Sequence, residues 1–122
     1  MADSLRPSYE GRVFVTKANT ANGEVDSSTR FQYHQSEDGA IVWAEYSGGS
    51  VIRGFLIATV QVNGVLDARY EHVNVDGVLK TGMCTTSPEQ LPDGRLRLHE
   101  HWQWTSGDMS TGNSMVDEEV AT

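Results

Sequence analysis

Seven turn signals punctuate the chain at short intervals: Asn22-Gly23, Asp38-Gly39, Ser47-Gly48-Gly49, Asn63-Gly64, Asp76-Gly77, Asp93-Gly94 and Ser106-Gly107-Asp108. Asn-Gly and Asp-Gly pairs supply the positive φ angles that tight hairpin turns require. They separate eight segments, many rich in Val, Ile, Thr, Tyr, Phe and Trp, which reads as strands near 11–18, 29–36, 40–47, 51–61, 65–74, 78–86, 95–104 and 112–120. Most signals lie about ten to fifteen residues apart, as in a sandwich or barrel. No window sustains a helical apolar period together with caps. One short turn is expected at Ser87–Gln90, around Pro88. Sequential strands with short connections form an antiparallel meander, and closing it removes exposed edges. The expected fold class is all-β: a single eight-stranded, up-and-down antiparallel barrel. A two-sheet sandwich is the alternative, but the long connections of a Greek key are missing. A barrel of this size either fills with side chains or holds one small ligand.

The 122 residues suit one domain, expected over 11–122, preceded by a flexible arm over 1–10. The single cysteine, Cys84, excludes an internal disulfide and fits the cytoplasm. Acidic residues outnumber basic ones 17 to 9, a net charge of −8 that argues against a nucleic-acid partner. No apolar run approaches a membrane span, and residues 1–10 lack a signal-peptide core, so no membrane partner is expected.

Period-two alternation assigns the faces of each strand. The segment Leu96-Arg97-Leu98-His99-Glu100-His101-Trp102-Gln103-Trp104 places Glu100 among leucines and tryptophans, opposite Arg97, His99, His101 and Gln103. A carboxylate on such a face needs a partner, a proton or a ligand. Phe31 and Tyr33 share one face of the second strand; Leu66, Ala68, Tyr70 and His72 share one face of the fifth. On the sixth, Leu79, Thr81, Met83 and Thr85 are assigned inward, with Lys80 and Cys84 outside. The third and fourth strands carry apolar residues on both faces and stay ambiguous. The interior is therefore expected to contain Tyr33, Tyr70, His72, Glu100, Trp102 and Trp104. Apolar walls with a few convergent polar groups are the usual make-up of a small-ligand pocket, although the same groups also fill closed barrels.

Glu100 and His72 are the candidate reactive pair. Facing inward together they would form a carboxylate–imidazole dyad for proton transfer in an isomerase or cyclase, a structural ion pair, or an anchor for a ligand. His99-x-His101 has metal-ligand spacing on a strand, but it lies on the outer face with no further ligand at a recognisable spacing, so no metal or other cofactor is called for. Arg53 and Arg69 are of the type that clamps an anion, against a cross-strand ion pair for Arg69. Cys84 has no basic cluster to activate it. Gly107–Gly112 lacks the lysine of a phosphate-binding loop and reads as an ordinary loop. Thr105, Ser106, Ser110, Thr111 and Ser114 form a polar cluster around it that suits a barrel mouth. Exposed outer aromatics such as Trp43 suit self-association into a homo-oligomer.

Four stretches carry a family resemblance: Asn19-Thr20-Ala21-Asn22-Gly23-Glu24, Trp43-Ala44-Glu45-Tyr46-Ser47-Gly48-Gly49, Ala68-Arg69-Tyr70-Glu71-His72-Val73-Asn74, and the region Thr81–Gly107 with Glu100–Gly107 most specific. They resemble short bacterial proteins often filed as "n-acetylglutamate synthase". The resemblance spans about Gly11–Val120 and implies an avidin-like, calycin-type β-barrel. The filed name implies acetyl transfer from acetyl-CoA. The sequence has no glycine-rich pyrophosphate cradle opening a helix, the arrangement such chemistry uses. The expected function is the binding of an unknown, partly apolar small molecule inside the barrel.

Overall fold

A computed structural model describes residues 7–120. Its strands are β1 (Val13–Asn19), β2 (Arg30–Gln35), β3 (Ile41–Gly48), β4 (Val51–Val60), β5 (Leu66–Asn74), β6 (Leu79–Gln90), β7 (Leu96–Trp104) and β8 (Thr111–Glu118). Each pairs antiparallel with the next, and β8 returns to β1, closing the barrel. The only helical piece among the described residues is a 3-10 turn at Val62–Gly64. None is long and apolar enough to cross a membrane.

The turn chemistry follows the sequence at six of the seven signals, where glycines 39, 48, 49, 64, 77, 94 and 107 take positive φ. Asn22-Gly23 differs. Gly23 has no positive φ, and it lies in a long connection between β1 and β2 rather than a tight hairpin. Pro88 also departs from expectation: Ser87–Gln90 is not a turn but the end of β6. Pairing of β6 with β5 stops at Thr86, whereas its pairing with β7 continues to Gln90. Pro88 therefore sits where β6 has a neighbour on one side only, which a residue without an N–H tolerates.

The two ends of the barrel differ. At the closed end Tyr9, Phe14, Tyr33, Val42, Leu66, Leu96, Leu98 and Val116 are fully or almost fully buried. Removing each such large side chain from water contributes about 1.5–3 kcal/mol. Tyr9 corrects the arm expected over 1–10. It is buried, stacks on Tyr33 at 5.9 Å, donates from its hydroxyl to Gly64 O at 2.6 Å, and donates from its N–H to Gln35 Oε1 at 2.7 Å. It plugs this end; residues 1–6 of the expected arm lie outside the described residues.

At the other end the strands carry three irregularities in register, at Thr16/Ala18, Tyr46/Gly48 and Val51/Arg53. Bulges concentrate at barrel rims, where they sharpen the twist and end the pairing. The open end is bordered by the β1–β2, β3–β4, β5–β6 and β7–β8 connections.

The ambiguous strands resolve. Val42, Ala44 and Tyr46 of β3 and Val51, Gly54, Leu56 and Ala58 of β4 face inward. Ile41, Trp43, Phe55 and Ile57 face out. On β6 the expected assignment is reversed: Gly82, Cys84 and Thr86 point inward, while Leu79 and Met83 are exposed. The aromatic side chains of neighbouring strands already occupy the space there, so the inner face of β6 takes small residues. A Cβ on Gly82 would lie 2.2 Å from Cζ of Tyr70.

Candidate ligand site

A cavity opens at the bulged end. It has about 60 Å³ of room for the centres of water molecules, and about 520 Å³ when all space between atoms out to the mouth is counted. The room for water centres is several times what one water needs. Tyr70, His72, Glu100, Trp102 and Trp104 line it. Tyr33 does not. Although inward, it lies deeper, in the packed closed end between Tyr9 and Phe14. The cavity wall also includes Tyr46, Leu56, Ala68 and Cys84, and the loop residues Gly23, Glu24 and Val25.

Three aromatic rings are held against the wall by glycines directly across the strand pair. Tyr46 faces Gly54, Tyr70 faces Gly82 and Trp102 faces Gly112. A Cβ at each glycine would meet the opposing ring at 2.2–2.4 Å. The missing side chains let the rings fold back over the sheet, which leaves the axis of the barrel open at this level.

Below the rings runs a polar row. Asn19, Ser114, Glu100 and Thr86 are successive cross-strand partners on β1, β8, β7 and β6. Ser114 donates to Glu100 Oε1 at 2.6 Å. Glu100 keeps some accessible surface because it borders the cavity, yet it lies deep in the barrel. Burial outweighs the Ser114 bond and pushes its carboxyl up to about 7. Asn19 Oδ1 is buried without a partner, while its Nδ2 donates to Val25 O at 3.1 Å.

At the mouth His72 is fixed from both sides. Its Nδ1 meets the Tyr46 hydroxyl at 2.9 Å and its Nε2 meets Glu24 Oε1 at 2.8 Å. Glu24 Oε2 also accepts from Asn74 Nδ2 at 3.1 Å and lies 3.5 Å from Lys80 Nζ. Burial opposes ionisation of Glu24, but the bonds from His72 and Asn74 and the charge of Lys80 together hold its carboxyl below the usual range. Glu24 thus ties the β1–β2 loop across the cavity. Asn22 secures the same loop by donating to Ser110 Oγ at 2.9 Å and Thr111 O at 2.8 Å, and its carbonyl accepts from Trp104 Nε1 at 3.1 Å.

The expected Glu100–His72 dyad does not form. Both border the cavity, but the ring nitrogens of His72 engage Tyr46 and Glu24, and Glu100 engages Ser114. The partner of His72 comes from a loop, where alternation gives no facing rule, so strand patterns could not identify Glu24. Its signal was a lone carboxylate beside the Asn22-Gly23 turn.

The remaining candidates lie elsewhere. His99 and His101 face outward beside Glu89 and Asn113. Arg69 bonds Asp67 within β5 at 2.7 Å, not across strands, and both it and Arg53 are exposed. Burial raises the Cys84 thiol well above its ordinary range, so it stays protonated and unreactive. Ser106, Thr105 and Ser110 brace the loops: Ser106 Oγ accepts from Thr81 N and Thr105 bonds Thr81.

An eight-stranded up-and-down barrel, closed and packed at one end and hollow at the other, is the architecture of a cup. A family model described as avidin-like protein matches residues 7–119, and the chain belongs to this avidin-like family. No curated protein and no solved structure matches the chain.

Proposed function

We propose that this protein binds a small, partly apolar molecule in the cup, with no chemical conversion of it. The observation that carries this reading is the division of the lumen. One end is filled by Tyr9, Tyr33 and Phe14, while glycines hold three aromatic rings back from the other. A barrel needing only a stable core has no use for that second arrangement, because an open axis forgoes packing contacts. Tyr70, Trp102 and Trp104 are the apolar walls. Glu100 is the polar contact. His72, with both ring nitrogens engaged by Tyr46 and Glu24, is a fixed part of the wall, and a rigid wall lowers the entropic cost of binding.

The test is a metabolite screen by thermal shift on the full chain, repeated on Ala68→Phe. Ala68 lines the cavity, and a phenyl ring there fills it. A ligand at a hundred times its Kd stabilises the folded state by about 2.7 kcal/mol. The expected result is a hit that Ala68→Phe abolishes while remaining folded. Hits that survive filling would place binding outside the cup and overturn the reading.

A further inference from the structure

Among the described residues, the carboxylates that are not solvent-exposed are paired with bases, with one exception. Glu24 has His72 and Lys80, Asp117 has Arg97, Glu118 has Arg12, and Glu45 has His34. Glu100 lies in the lumen, and among the described residues it has no basic partner. Its Oε1 takes the Ser114 hydroxyl. The titratable groups that face it are Tyr33 from β2, Tyr46 from β3, Tyr70 from β5 and Cys84 from β6. None of these carries a positive charge, and His72, the base that lines the same cavity, is engaged by Glu24 at the mouth. Lys80 sits 3.5 Å from Glu24, with its ammonium 4.5 Å from the centre of the Trp104 ring.

We infer that the cup selects an organic cation, an N–H-bearing amidinium, guanidinium or ammonium group on a flat apolar body, whose charge is met by the carboxylate of Glu100. The inference rests on the lumen being a ligand site and names what that site prefers. Three features converge on it. A carboxylate without a base is the missing half of an ion pair. The rings of Tyr70, Trp102 and Trp104 surround the approach, and aromatic faces attract cations, more strongly where water is excluded. The one buried acceptor without a donor in this wall, Asn19 Oδ1, lies in the same row as Glu100. The bond from Asn19 Nδ2 to Val25 O keeps that amide from flipping to offer a donor instead. An anion would meet Glu100 with no free base beside it, since His72 and Lys80 are engaged by Glu24. A neutral amide would satisfy an acceptor but gain nothing from the charge that Glu100 can carry.

Binding should then be coupled to a proton. Burial keeps Glu100 protonated for much of the neutral range, and a cation requires the ionised form. The complex therefore releases a proton as it forms, and affinity rises with pH until Glu100 is ionised in the free protein as well.

The experiment uses the full chain and a fragment set divided equally among cations, neutral molecules and anions. Benzamidine, benzamide and benzoate serve as a shape-matched trio. Binding is read by tryptophan fluorescence, and the best binder is titrated calorimetrically at pH 5.5, 7 and 8.5 in buffers of different ionisation enthalpy. The cations are expected to dominate. Affinity should rise at least tenfold from pH 5.5 to 8.5, with net proton release, and Glu100→Gln should lose at least tenfold together with the pH dependence. Neutral or anionic binders prevailing, cations that bind Glu100→Gln equally well, or binding without proton release would overturn the inference while leaving a ligand cup in place. Absence of binding in all three classes would overturn both. Proton release is measured on the unmodified protein, so the test holds even if the Gln variant folds poorly.

Discussion

Tyr70 and Gly82 are directly opposed on the inner face of β5 and β6, and the tyrosine ring lies where a Gly82 side chain would be. The opposite neighbour of Gly82, Trp104 on β7, packs edge-on against the same ring at 5.8 Å. One missing methyl group thus seats two aromatic rings in the wall of the cup.

Gly82→Ala should cost about 1–3 kcal/mol, the usual penalty for overpacking. Gly82 does not use positive φ, so alanine brings no backbone strain and the effect isolates the ring clash. Urea denaturation measures the loss. The displaced Tyr70 ring has only the lumen to enter, so thermal-shift hits should weaken in parallel. A variant as stable as the parent would show that the ring does not depend on this glycine.

The plug at the closed end gives a graded series. Tyr9→Phe removes the hydroxyl that bonds Gly64 O and leaves a buried carbonyl short of a donor. About 1–3 kcal/mol should be lost. Tyr9→Ala also empties the space against Tyr33, for about 3–5 kcal/mol in all. Equal stability of parent, Phe and Ala forms would show that Tyr9 is not part of the core in solution.

Glu100 makes stability fall as pH rises. Its carboxyl sits at about 7 in the folded protein against an ordinary 4.5. The folded state therefore holds the proton more tightly than the unfolded chain, and the stabilisation from that proton is complete below pH 4.5 and gone above pH 7. At about 1.4 kcal/mol for each pH unit between those values, the span is about 3.5 kcal/mol. Glu100→Gln should match the parent near pH 4.5, exceed it at pH 8, and show the difference growing between. Parallel stability curves for the two proteins would contradict a buried Glu100.

Glu24 acts in the opposite sense. Its carboxyl is held below the usual range by His72, Asn74 and Lys80 against the effect of burial. The loop contact it makes is therefore present above the ordinary carboxylate range and lost as pH falls through the lowered value. Glu24→Gln should speed amide hydrogen exchange at Gly23 and Val25 about tenfold, a local loss of about 1.4 kcal/mol, with little change in the closed end. Unchanged exchange there would mean that Asn22 alone holds the loop.

Much of the fold was readable because the turns are local. An Asp-Gly or Asn-Gly pair dictates its own φ angles, so six of seven turns and the eight strands followed from short-range chemistry. Alternation then placed Tyr70, His72, Glu100, Trp102 and Trp104 in the lumen, because their strands have one clearly apolar face. It failed on β6 for a non-local reason. Leu79 and Met83 look like core residues, but the space inside was already taken by Tyr70, Trp102 and Trp104, so Gly82, Cys84 and Thr86 face in. It was silent on β3 and β4, where apolar residues occupy both faces.

By itself the sequence determined an eight-stranded antiparallel barrel with a carboxylate and a histidine among its inward aromatics, since strand period and turn chemistry are properties of neighbouring residues. Only the tertiary structure decided which end is full and which is hollow. Tyr9 reaches the far end of the barrel from outside the strands, and Glu24 reaches His72 across 48 positions of chain. The glycines that keep the cup open act on rings of the neighbouring strand. Closure brings these groups together, so the separation of Glu100 from His72, and the carboxyl it leaves without a base in the lumen, could be read only from the folded barrel.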